Sequence, residues 1–149
     1  MAAQTETDDV PTALMAFQGR LVAGVGRALR IYDMGKKKLL RKTENKVRSR
    51  RRFVRNIADI SPRLQSFATM ITTLNTQGSR IIVGDIQESI HYAVYKAPEN
   101  RLIVFADDTS PRWTTATTMV DYETVAAGDK FGNVFEIGRA SCRERVSLQ

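Results

Sequence analysis

The sequence has 149 residues, 42% hydrophobic and 26% charged, which fits one ordinary domain able to bury a core and argues against a disordered chain. Its formal charge of +7 directs attention to anionic partners, because clustered Lys and Arg release counterions from phosphate backbones. A single cysteine, Cys142, excludes an internal disulfide, and with one histidine the chain holds no Cys/His cluster of metal-ligand spacing.

The opening "MAAQTETDDVPTAL" is acidic and has no charged region followed by an apolar run, so no secretory signal is expected and residues 1–13 read as a flexible lead. No apolar stretch approaches the roughly eighteen residues of a membrane span. The expectation is a soluble, intracellular chain.

From there the apolar runs have strand character: "RLVAGV", "ALRIYDM", "RIIVGDI", "IHYAVYKA", "RLIVFADD", "TTATTMVDY", "TVAAGD" and "NVFEI". Between them stand "QGR", "GVGR", "TQGSR", "PENR" and "DKFGN", the glycine- and asparagine-bearing turns of a meander. Most of the chain is therefore expected to be β.

Three pieces repeat: "GRLVAGVGRALRIYDM" from Gly19, "SRIIVGDIQESIHYAVY" from Ser79 and "ETVAAGDKFGNVFEI" from Glu123. Each is an apolar strand closing on a glycine, a short turn and a second apolar strand. The matching glycines, Gly24, Gly84 and Gly128, are 60 and 44 residues apart. The second spacing suits a four-stranded propeller blade of about 40 to 45 residues; the first is too long.

The segment Val47 to Gln65 explains the excess. Without its nineteen residues the first spacing becomes 41. It also carries six arginines (Arg48, Arg50, Arg51, Arg52, Arg55 and Arg63) against Asp59 alone. The last thirteen residues, "IGRASCRERVSLQ", hold three arginines against one glutamate, and the rest of the chain is balanced at fourteen basic and fourteen acidic residues. Anomalies of period and of charge thus coincide in residues 47–65, which read as an insertion.

A Val codon begins GT, a Gln codon can be CAG, and Ala58–Asp59 can be encoded by a fungal-type branch-point sequence, so a translated in-frame intron is the leading source. The alternatives are a basic surface loop and a nucleic-acid arm using Arg48, Arg50, Arg51, Arg52 and Arg55, with Phe53 for stacking.

Candidate chemistry is sparse. Gly24 and Gly26 in "GVGRAL" lack the third glycine of a dinucleotide loop, which falls on Leu29, so a hairpin turn is expected. Asp107 and Asp108 are adjacent in a strand and point to opposite faces, which favours a turn or cap before Pro111 over paired acid/base work. His91 stands in an apolar strand with no evident partner, so packing or a cross-strand hydrogen bond is the default. There is no "GxSxG" elbow. Trp113 reads first as an anchor on a blade face and second as a partner contact. "GKKKLLRK" (Gly35 to Lys42) reads as a solvated hairpin between blades, with Leu39 and Leu40 partly buried, ahead of a nuclear-targeting run.

The motifs "GVGRALRIYDMGKKKLLRK", "GDIQES", "FADDTSPRW" and "AGDKFGNVF" closely resemble the C-terminal propeller region of the splicing factor 3b subunit 3 family, known in fungi as the pre-mRNA-splicing factor Rse family. That family shares a superfamily with the large subunits of the damaged-DNA-binding complex and of the cleavage and polyadenylation specificity factor. The resemblance covers about two thirds to three quarters of the chain. It skips residues 47–65, and it stops at Glu136; the tail from Ile137, residues 137–149, looks non-native.

The resemblance implies an all-β fold, a partial WD40-like β-propeller of about three blade segments built from residues 14–46 and 66–136. It further implies a fragment of a much longer nuclear scaffold protein that holds other splicing factor 3b subunits of the branch-site-recognition complex. Contact with spliceosomal RNA would be weak or indirect, although the superfamily is often associated with nucleic-acid binding. There is no family catalytic residue to carry over, and no cofactor, membrane or small-molecule substrate is implied.

Overall fold

The computed structural model describes residues 4–36, 38–45, 69–108, 110–138 and 142–144. Strands dominate because β-branched and aromatic residues alternate with smaller or polar ones over runs of five to eight residues. They are β1 (Pro11–Phe17), β2 (Arg20–Val25), β3 (Ala28–Met34), β4 (Leu39–Asn45), β5 (Ile71–Gln77), β6 (Arg80–Asp85), β7 (Ser89–Lys96), β8 (Arg101–Asp108), β9 (Thr114–Met119), β10 (Thr124–Asp129), β11 (Val134–Gly138) and β12 (Cys142–Glu144).

The strands form three antiparallel sheets: β1-β2-β3-β4, then β5-β6-β7-β8 with β12 added outside β8, then β9-β10-β11. These are three successive blades, and β1 neighbours β5 as β5 neighbours β9. The arrangement is a partial β-propeller. The first blade starts at Pro11, ahead of the expected residue 14, since proline is tolerated at the first residue of an edge strand. The third continues through Gly138, past the expected 136, because Ile137 is buried and its carbonyl accepts a hydrogen bond from Tyr92 Oη at 3.1 Å.

All five anticipated turns are hairpin turns, and at Gln18–Gly19 both residues hold positive φ, 48° and 74°, which matches the right-handed strand twist. The described residues of "GKKKLLRK", Gly35, Lys36 and Lys38 to Lys42, lie inside the first blade, in the β3–β4 hairpin and β4, rather than between blades. Its Leu39 is half-buried, while Leu40 is exposed because alternate residues face opposite ways.

The core lies between blades. One cluster joins the first two, with Phe17, Val22, Leu29 and Ile31 against Ile71, Ile81, Val83 and Tyr95. A second joins the next two through Ile82, Ile90, Tyr92 and Ala106 against Val125, Ala127 and Ile137. A third, around Ala23, Val25 and Tyr32, lies on the opposite face of the first blade.

The repeat is finer than the glycines alone. Gly24, Gly84 and Gly128 occupy equivalent positions, paired with Ala13, Thr73 and Ala116 in the preceding strand. Beside each pair that strand carries a bulge, at Thr12, Thr72 and Thr115 respectively. Thr12 and Thr115 donate their hydroxyls to the carbonyls of Gly24 and Gly128 at 3.3 and 3.2 Å.

Positive φ, a natural reason for glycine at a turn, holds at none of the three. At Gly24 and Gly84 the requirement is space: a methyl at Gly24 would lie 2.5 Å from Ile71 Cγ2, and one at Gly84 would overlap Thr73 Oγ1 and stand 3.2 Å from Thr114 Cγ2.

Candidate partner-binding surface

The β2–β3, β6–β7 and β10–β11 turns share one end of the blades with the β8–β9 connection. Hydrogen bonds tie this end together: Ile71 N donates to Gly26 O at 3.0 Å, Ser89 N to Arg112 O at 3.2 Å and Lys130 N to Trp113 O at 3.1 Å.

The β10–β11 turn is ordered by its own residues. Asp129 Oδ1 accepts from the backbone N–H of Phe131 at 2.8 Å and of Asn133 at 3.0 Å, while Oδ2 accepts from Asn133 Nδ2 at 2.9 Å. These bonds, led by that from the Asn133 side chain, hold the Asp129 carboxyl below its ordinary value. Gly132 supplies the left-handed residue at φ 87°. Phe131 therefore stands on a prepared tip, 75% exposed.

The β8–β9 connection is fixed from below. Asp108 accepts from Ser89 Oγ at 2.8 Å and from Ser110 N at 3.2 Å, and it pairs with the Arg112 guanidinium. Asp108 thus caps the turn before Pro111, as its sequence position suggests. The Arg112 guanidinium also lies 4.3 Å from the Phe135 ring centroid.

Trp113 follows in this connection and belongs to none of the buried clusters. The expectation that it anchors a blade face fails, because it precedes β9 and projects from the blade end, where its side chain is 38% exposed. Lys130 Nζ sits 3.4 Å from its ring centroid and 5.1 Å from that of Phe131. A cation between two ring faces is held by their quadrupoles.

Lys130 and Phe131 were not singled out from sequence, since "DKFGN" reads first as turn punctuation. The available signal was an aromatic inside an Asp-initiated turn, too tightly bent to fold its ring beneath its own hairpin.

The other candidates separate. Arg48, Arg50, Arg51, Arg52 and Arg55 lie outside the described residues; the strands that flank them, β4 and β5, end and begin at this same blade end. His91 is fully buried in β7, and the pairing register places it between Val83 and Asp107. The sheet thereby sets an acid opposite the histidine, sixteen positions away in sequence. Gly26 with Arg27 forms the two-residue β2–β3 turn and opens no helix, so no phosphate loop is formed. Among the described residues no three His, Cys, Asp or Glu side chains converge to hold a metal.

A family model described as the CPSF A subunit region matches residues 1–143. The pre-mRNA-splicing factor RSE1 of Mycosarcoma maydis is 55% identical over 132 residues, 89% of this chain and 9% of the relative. The Neurospora crassa protein named pre-mRNA-splicing factor rse1 is 54% identical over 146 residues, 98% of this chain and 10% of the relative. Splicing factor 3B subunit 3 of Drosophila melanogaster is 48% identical over 131 residues, 88% of this chain and 9% of the relative. The chain spans about a tenth of the length of the curated relatives it matches. With its three repeated blades and this extent of match, the chain belongs to the CPSF A subunit region family.

Proposed function

We propose that the chain is a non-enzymatic scaffold piece of a spliceosomal β-propeller subunit. It supports pre-mRNA splicing in the nucleus through contacts with other splicing factor 3b subunits of the branch-site-recognition complex, and its contact with spliceosomal RNA is weak or indirect. The observation that carries this reading is the repeated blade with its shared glycine and threonine-bulge positions, in a chain whose relatives are named as splicing factors. Blades present turns at their ends, and here one end carries the exposed pair Trp113 and Phe131.

Affinity purification of the tagged protein tests it. Splicing factor 3b subunits should copurify; a folded protein that recovers none of them overturns the reading.

In the same reading, residues 47–65 are a translated intron, supported by the coincidence of period and charge, and residues 137–149 are a non-native tail, a proposal that must accommodate the place of Ile137 and Gly138 in β11. Sequencing the transcript across Lys46 to Ser66 decides the first point: the segment should be absent from most mature message.

A second reading is a small basic nucleic-acid-binding protein acting through Arg48 to Arg55, favoured by six arginines within nineteen residues. It requires steep salt dependence of RNA binding, lost when residues 47–65 are deleted.

A further inference from the structure

The geometry points to the Trp113–Lys130–Phe131 cluster as a docking site for an acidic peptide segment that carries an apolar side chain beside its carboxylates. This rests on the reading of the chain as a protein-contact module and names the chemistry of the partner.

Three observations carry it. Lys130 is held over the Trp113 ring and, among the described residues, pairs with no carboxylate; the Asp129 carboxylate beside it is turned to Phe131, Asn133 and their own turn. The cation is positioned and, among the described residues, uncompensated, so a carboxylate that meets it gains an attractive partner without first ordering a long side chain.

Second, Phe131 is mostly exposed on a turn already closed by Asp129 and Gly132. A rigidly presented aromatic buries area on binding at small entropic cost, as interface hot spots do.

Third, the arrangement is peculiar to this blade. In the β6–β7 turn Asp85 also accepts from two backbone N–H groups, of Gln87 at 2.7 Å and Glu88 at 3.0 Å, yet that turn presents Ile86, Gln87 and Glu88 and no aromatic ring. The same turn frame carries two different surfaces.

Charge favours a peptide over nucleic acid. Among the described residues around the cluster, the neighbouring Arg112 is neutralised by Asp108 and Asp129 adds a negative charge, so they form no row of cations for a phosphate backbone. Lys130 also covers a face of Trp113 that a base would need for stacking.

Trp113 is the only tryptophan, so intrinsic fluorescence of the full 149-residue chain reports directly on the cluster. Titration with the hexapeptide DELFDE should shift its emission saturably, and KKLFKK should not. Lys130→Gln and Phe131→Ala should each weaken binding about tenfold, with melting unchanged since both side chains lie at an exposed turn. An equal response to KKLFKK, undiminished binding by both variants, or displacement of DELFDE by short polyuridine would overturn the proposal, the last in favour of nucleic acid.

The two readings fail separately. If splicing factor 3b subunits copurify with the unmodified protein but DELFDE leaves Trp113 unmoved, only the docking inference falls. If nothing copurifies, the scaffold reading falls first.

Discussion

Ile71 packs directly on the α-carbon of Gly24 across the joint between the first and second blades, leaving no room for a methyl group. Gly84 is equally confined by Thr73 and Thr114, whereas the nearest atoms to a methyl at Gly128 would stand 3.9 Å away. Gly24→Ala and Gly84→Ala should each destabilise the protein by roughly 1–3 kcal/mol through overpacking, and Gly128→Ala by less than about 1 kcal/mol. Urea unfolding of the three variants checks the ranking, and equal losses would show that backbone conformation, not space, is the cause.

The β10–β11 turn should loosen in acid. Asp129 is held below its ordinary carboxyl value of 3.8, chiefly by the Asn133 side chain, so the turn's stabilisation is present above that value and fades as pH falls below it. Trp113 emission, read against pH, should change on the acid side of 3.8, and Asp129→Asn should remove that dependence.

Buried Arg30 draws on two acids from separate segments. It donates to both carboxylate oxygens of Asp8 and, through Nη2, to Glu44 Oε1 at 3.1 Å. These partners raise its pKa above an already high ordinary value, Asp8 most, so it stays charged. Asp8→Ala should cost about 1–2 kcal/mol, less than a fully buried pair because Asp8 is mostly solvent-exposed. High salt should narrow the difference from the unmodified protein.

Leu29, Ile90 and Val134 are repeat-equivalent, each paired with the blade glycine, yet Leu29 and Ile90 are 0% exposed and Val134 is 83% exposed. The first two lie under the following blade. Leu29→Ala and Ile90→Ala should cost roughly 2–5 kcal/mol each, and Val134→Ala less than about 0.5 kcal/mol. Val134→Lys should also reduce self-association in light scattering, since it removes an exposed apolar side chain on an edge strand.

His91 and Trp113 show where sequence reading stopped. Strand existence, the five turns and the three glycine-marked units were legible because they depend on local alternation and on turn residues. The opposition of His91 and Asp107 was not, because register between β7 and β8 decides it. Trp113 was visible as a residue of consequence, but only the β8–β9 connection placed it at the blade end, outside the buried clusters.

By itself, then, the sequence determined an all-β chain of repeated hairpins and the glycines that mark each blade, since each is a property of spacing along the chain. Only the tertiary structure decided why Gly24 and Gly84 must be glycine, which of three equivalent apolar residues is left in solvent, and that Lys130 comes to rest between Trp113 and Phe131. Those outcomes depend on the separation between sheets and on the meeting of turns from different strands, distances that close only when the blades stack.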